Sequence, residues 1–306
     1  MADLSSVGSE GGGGGGSTYD EFLSEMESEV HEIFRVGKGK LAKERKYLAG
    51  EMAVPTGAGN ANFLFNDRHL GDPIFSDPAP GIKLVKEFAK FHCFDLTAVK
   101  ASIEDVVHTN KILDDNYKDK YLLMADGLHS WTEHENPDNA AKVFKDKYLK
   151  SMDVFYKRQG IALDHYYQIL VAIAALVEAN RKALRHLLED AKQEMSDYSP
   201  FWGVTNPWLS WNIELAVIAV PEALPEVEGA AMITQKAIET VAEKLIDKGK
   251  EELEADESVA GIIIGLEDGI QSLMKNSNDA FDNVSGFASQ FMDTDTPERN
   301  VMACPQ

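Results

Sequence analysis

Apolar residues return along much of this chain at the three-to-four-residue spacing of one helix face. Phe22, Met26, Val30 and Ile33 make one such stripe within 19–52, where charged residues hold most other positions; Gly37 and Gly39 sit where they could loosen the helix. A longer series starts at Leu96 and runs through Val99, Ile103, Val106, Leu113, Tyr117, Met124 and Trp131. Asn110, Lys120 and Gly127 interrupt it, with Tyr121 and Leu128 as apolar neighbours. At ~1.5 Å per residue that helix extends on the order of 50 Å. A second seam follows through Phe144, Tyr148, Met152, Phe155, Ala162, Tyr166, Ile169, Ile173, Leu176, Leu184 and Leu187. Between the two lies a helix-start signature: Asn136 as N-cap, Pro137 in the first turn, where its missing N–H costs nothing, and Asp138 beside the helix N-terminus. Two amphipathic helices joined by so short a turn bury both seams only if antiparallel, which predicts a long helical hairpin over about 96–195.

Around the hairpin the pattern is less regular. Residues 53–81 are rich in Gly and Pro, with Phe63, Leu64, Phe65, Ile74 and Phe75 available to pack onto the body. An aromatic, Pro-bearing connector at 198–211 leads to helical stretches near 212–220, 229–254 and 258–291. The last carries Ile263, Leu266, Ile270, Leu273, Phe281, Val284 and Phe287 at near-heptad spacing. No alternating strand and no repeat of fixed period stands out. The predicted fold is all-α: a long antiparallel hairpin with N- and C-terminal helices in an elongated bundle. Its parts are a Gly-rich leader (1–18), an N-terminal helix with an irregular segment (19–81), the hairpin (82–197), the connector (198–211), an acidic helical region (212–292) and a tail (293–306).

Charge narrows the partners. The chain carries a formal −21, and nineteen acidic against six basic residues fall within 212–306. That field opposes nucleic acid, whose binding depends on neutralising phosphates, and disfavours anionic membrane surfaces. Runs such as Glu251, Glu252, Glu254, Asp256 and Glu257 usually only solvate a face. Cys93 and Cys304 are the two cysteines, too few for a disulfide framework or a metal knuckle. The start of the chain has no apolar h-region, and no stretch reaches the ~18 apolar residues of a stable transmembrane helix. The expected location is outside the cell without a Sec signal peptide or at its surface, with the cytoplasm as the alternative.

Catalytic patterns are few. There is no HExxH, GxSxG, phosphate loop or dinucleotide fingerprint, and the eight histidines are scattered. Asp114, Asp115 and Asp119 resemble the aspartate-rich Mg²⁺ motif of class I terpene synthases, but Lys118 occupies the position where that motif's last acid belongs. Phe201, Trp202, Trp208 and Trp211 cluster in the connector. They read as a staple onto the body or as an exposed aromatic patch for a partner.

One resemblance involves the hairpin turn. Trp131 ending the first long helix, then Ala140, Ala141 and Phe144 opening the second, resembles the WXG-type helical hairpin proteins of type VII secretion systems. The likeness covers about 96–195. It departs in having Glu133 where the family has glycine, in a longer turn, and in lacking a Tyr-x-x-x-acid export signal after the second helix. It implies a non-enzymatic, exported protein without cofactor, acting through a protein partner or self-association along its seams, with the C-terminal helices as an appended region. The competing expectations are a cytosolic adaptor, a Mg²⁺-dependent helical enzyme using Asp114, Asp115 and Asp119, and a membrane-acting protein exposing 168–178 or 201–220.

Overall fold

The first helix, α1 (Tyr19–Leu48), opens on a reciprocal cap. The Glu21 N–H donates to Thr18 Oγ1 (3.3 Å) while the Thr18 N–H donates to Glu21 Oε2 (2.8 Å), which satisfies two donors that the helix start leaves open. The structure, a computed structural model, describes residues 18–48, 78–132, 140–198, 208–214, 242, 250–256 and 259–292. The leader, the Pro/Gly segment to 77, the 133–139 turn with its Asn136 and Pro137, Phe201, Trp202, Cys304 and the tail after Met292 lie outside the described residues. Phe22, Met26, Val30 and Ile33 are buried as their spacing predicts. Gly37 and Gly39 do not break α1, because packing along the stripe outweighs the ~1 kcal/mol helix penalty of a glycine.

Helix α2 (Ala79–His92) stands out less in the sequence; Pro80 lies in its first turn, and Val85, Phe88 and Ala89 are buried. Gly81 sets its approach to α1: a Cβ there would meet the Phe34 ring at 3.3 Å and Val30 at 3.4 Å. Helix α3 (Thr97–Asn116) follows after Asp95, whose carboxylate accepts from the Thr97 N–H (3.0 Å) and hydroxyl (2.8 Å). It continues through a π-turn (Tyr117–Leu122) into α4 (Leu123–Thr132). The return arm is α5 (Ala140–Phe144), a second π-turn (Lys145–Leu149) and the 48-residue α6 (Lys150–Asp197). Helix α7 (Val259–Met292) closes the bundle.

The fold is an all-α bundle, and α6 is its axis. Towards its C-terminal end α6 packs against α1, α2 and the first part of α7, in a core that includes Phe22, Ile33, Phe88, Leu184, Leu188, Met195, Ile263 and Leu266. Further back it packs between α3 and the end of α7, with Leu96, Ile103, Val106, Tyr167, Leu176 and Val284 together. Lys192 to Glu29 (2.7 Å) and Arg185 to Glu25 (3.1 Å) tie α6 to α1. Past the end of α7, the hairpin arms pack mainly on each other among the described residues.

A polar node sits where α2, α6 and α7 meet. The Arg181 guanidinium donates to the carbonyls of Cys93 (3.1 Å) and Phe94 (2.7 Å), and the Asn180 amide donates to the His92 carbonyl (3.1 Å) and Ser277 Oγ (2.8 Å). Carbonyls at a helix end have no partner within their own helix, so α6 serves as the cap that α2 lacks. Burial holds the His92 imidazole below its usual pKa and the Cys93 thiol above its own.

One expectation needs correction. The stretches expected as helices at 212–220 and 229–254 overlap two short strands, β1 (Trp208–Glu214) and β2 (Lys250–Asp256). They pair antiparallel, with Trp208 opposite Asp256 and Glu214 opposite Lys250. The aromatic and branched residues of β1 favour a strand, while the charged β2 sequence favours a helix and is overridden by its pairing. Lys142–Asp197 forms a helix long and apolar enough to cross a membrane by length and composition alone. Much of its apolar sequence is the buried centre of the bundle, and core helices pass that test.

Candidate functional site

The outer half of the hairpin is where sequence and packing part company. The seam of the return arm is predicted to face α3 throughout, yet Phe144, Tyr148, Met152, Phe155 and Tyr166 are exposed. The residues that pack between the arms are Leu149, Tyr156, Leu163 and Tyr167, a face rotated from the predicted one. Met124 on the first arm is exposed as well. Among the described residues, every exposed large apolar side chain except Phe91 lies between Ile112 and Tyr166.

Polar bonds between the arms fix their register. Asn110 donates to Asp164 (3.0 Å), the Tyr117 hydroxyl to Asp153 (2.7 Å), and the buried Tyr121 hydroxyl to the Leu149 carbonyl (3.0 Å). Hydrogen bonds from Lys157 first, then from Tyr117, hold the Asp153 carboxyl below its usual pKa. Tyr117, Tyr121 and Tyr156 form an aromatic cluster with centroids 5.1–6.0 Å apart.

The two π-turns carry a feature the search for fixed-period repeats misses. Both contain the pentapeptide Lys-Asp-Lys-Tyr-Leu, at 118–122 and 145–149, each after an aromatic residue. π-turns are rare and mark places where a helix shifts its phase. In each copy the aromatic residues stack, Tyr117 on Tyr121 (5.1 Å) and Phe144 on Tyr148 (5.4 Å). The copies are used in opposite phase: Tyr121 is 9% exposed and Leu122 points out, whereas Leu149 is buried and Tyr148 is 61% exposed. A scan for short identical words, rather than for a period, would have found the pair.

The predicted site residues scatter over this frame. Trp131 lies in α4 and Ala141 in α5, but their side chains are outside the described residues; Ala140 is exposed, and Phe144 lies on the exposed seam. Trp208 and Trp211 occupy backbone positions in β1, opposite Asp256 and Leu253, with their side chains also outside the described residues. Asp114, Asp115 and Asp119 are exposed, and Asp114 pairs with Lys118 (2.6 Å). Among the described residues no three acids, histidines or cysteines converge to hold a metal. A cleft of about 140 Å³ opens between the arms at Asn110, Asp114, Tyr117, Lys157 and Gly160. That volume is well below the roughly 300–1,000 Å³ of small-molecule sites.

Ser277 Oγ lies 2.8 Å from His92 Nδ1, the spacing of a nucleophile and its base. Both are buried, at 1% and 4% exposure, so the pair is part of the packed node and is closed to substrate. Comparison of the chain with known protein families, curated proteins and solved structures finds no match.

Proposed function

We propose that this chain is a non-enzymatic helical-hairpin protein that works by associating with another protein, and that it reaches the cell exterior through a type VII system. One observation carries the reading: the exposed large apolar side chains are concentrated on the outer hairpin, around Phe144, Tyr148, Met152 and Phe155. Contiguous apolar surface of this kind marks interaction sites on soluble proteins. The export route rests on the resemblance at Trp131, Ala140, Ala141 and Phe144.

The association is tested with a photo-crosslinking amino acid placed at Phe155, and at exposed Lys43 as a control, in the native host. Adducts at Phe155 and none at Lys43 are expected; adducts at neither position would remove the reading. Export is tested separately. The chain should accumulate in the medium with its N-terminus intact and stay in cells whose secretion ATPase is disabled, and indifference to that ATPase would reject the route.

A further inference from the structure

The exposed seam on α6 continues a track that a helix of this chain already occupies. Helix α7 runs antiparallel to α6, with Ser277 against Asn180 (2.8 Å) and the Phe287 ring 6.0 Å from that of His165. Its seam residues Ile263, Leu266, Ile270, Leu273 and Val284 are buried, and it ends at Met292. On α6 the buried positions Leu176, Asn180 and Leu187 belong to the same heptad series as Phe155, Met152 and Tyr148, which emerge beyond the end of α7, and as Tyr166, exposed beside its last turns. The π-turn at Lys145–Leu149 inserts the extra residue that brings Phe144 onto this line.

Charge says what kind of helix would extend that line. Between Ala140 and Arg158 six basic residues stand against two acidic ones, in a chain of net −21. Both acids are taken within the arm, Asp146 by Lys150 (2.9 Å) and Asp153 by Lys157 (2.8 Å). The row beside the seam on the side away from α3 carries Lys147, Arg158 and the exposed Val154 and Ile161, and no acid. Helix α7 shows the matching pattern, with Glu267, Asp268, Asp279 and Asp282 against Lys275 alone. An apolar stripe at 3–4 spacing, flanked by a row that mixes Lys147 and Arg158 with Val154 and Ile161, fits an amphipathic helix with acidic flanks.

We propose that the seam from Phe144 to Phe155 is the docking track for an amphipathic α-helix of a partner protein, apolar at heptad spacing and acidic on its flanks, laid in line with α7. The track is ~17 Å long at ~1.5 Å per residue, the length of about one and a half heptads. The proposal rests on the association reading above and names the partner's chemistry.

The test uses the full chain and two labelled 24-residue designed helices. Both carry Leu and Ile at the seam positions; one has Glu on the flanks and the other Lys. The acidic helix should bind at least tenfold more tightly. Tyr148→Glu with Phe155→Glu should weaken it at least tenfold, with helicity by circular dichroism unchanged, and Lys147→Glu with Arg158→Glu should reverse the preference. Equal binding of both helices, or indifference to the Tyr148 and Phe155 changes, overturns the proposal. A dimer of the chain alone that Phe155→Glu dissociates would put a second copy on the track. Binding to phosphatidylglycerol vesicles but to neither helix would put a lipid surface there, and peptide binding only after removal of 293–306 would put the chain's own tail there. Each of these three results also overturns it. Crosslinks at Phe155 without acidic-helix binding leave association standing and reject only this chemistry.

Discussion

Helix α6 carries one apolar seam with two fates. At Leu176 and Leu187 the seam lies inside the bundle; at Phe155 and Tyr148, on the same heptad series, it meets solvent. Nothing in the local sequence marks the change. Leu176 and Phe155, three heptads apart on the same line, are both large and apolar, yet one is buried and the other exposed. The difference comes from what lies alongside. The inner half has α1, α2, α3 and α7 around it, whereas among the described residues the outer half packs on the opposite arm of its own hairpin. Periodicity reports that a face is apolar, and the neighbours decide whether it stabilises the fold or remains available for binding.

The contrast is largest in stability. Leu184→Ala should cost about 2–5 kcal/mol in chemical denaturation, since the side chain is fully buried and its removal leaves a cavity. Phe155→Ala should cost much less; a value near that of Leu184→Ala would show that the outer seam is part of the core. Next comes the polar node. Asn180→Ala removes the donor to Ser277 and the His92 carbonyl and should cost about 1–3 kcal/mol. A change within experimental error would mean that the node does not hold α7 to α6.

The same node makes the inner half sensitive to pH. Burial depresses the His92 pKa, so the folded state keeps the ring neutral while the unfolded state binds a proton near pH 6.5. Stability is therefore full above about pH 6.5 and falls as pH drops toward the folded-state pKa, by at most about 1.4 kcal/mol per pH unit for one proton. His92→Gln should flatten that slope between pH 6.5 and 5, and an unchanged slope would assign it to other groups. The smallest effect separates the two copies of the pentapeptide. Tyr121→Phe deletes the bond to the Leu149 carbonyl and should cost about 1 kcal/mol, with faster amide exchange in α4 and α5. Tyr148→Phe should leave both unchanged; equal effects would mean that the copies play equivalent roles.

Much of the helical frame was legible in the sequence. The α1 stripe, the inner hairpin and the α7 seam follow from apolar spacing alone, because each buries one face against a bundle neighbour. Helix α2 was missed because its short apolar stripe follows a run of Gly and Pro that reads as irregular. The ribbon was missed because Lys250–Asp256 has a helix-favouring composition and becomes a strand only through its pairing with Trp208–Glu214. Asn180 broke the expected apolar seam at the point where the node needs an amide, which periodicity treats as noise. The outer seam was correctly seen as apolar and wrongly assigned to the hairpin interface. Within α6 the positions one residue further on, Tyr156, Leu163 and Tyr167, take the interface instead, a choice between adjacent faces that apolar spacing alone does not make.

Cysteine accessibility tests most directly whether one seam is half covered and half bare. Tyr148→Cys and Leu176→Cys lie four heptads apart on that seam and are introduced singly, with Cys304→Ser in each chain. In native buffer, Tyr148→Cys should react with a thiol reagent at close to the rate of an unfolded control. Leu176→Cys should react at least a thousandfold more slowly, as the buried Cys93 should. Comparable protection at both positions would mean that the outer seam is already covered, and comparable reactivity would mean that α7 does not hold the inner one.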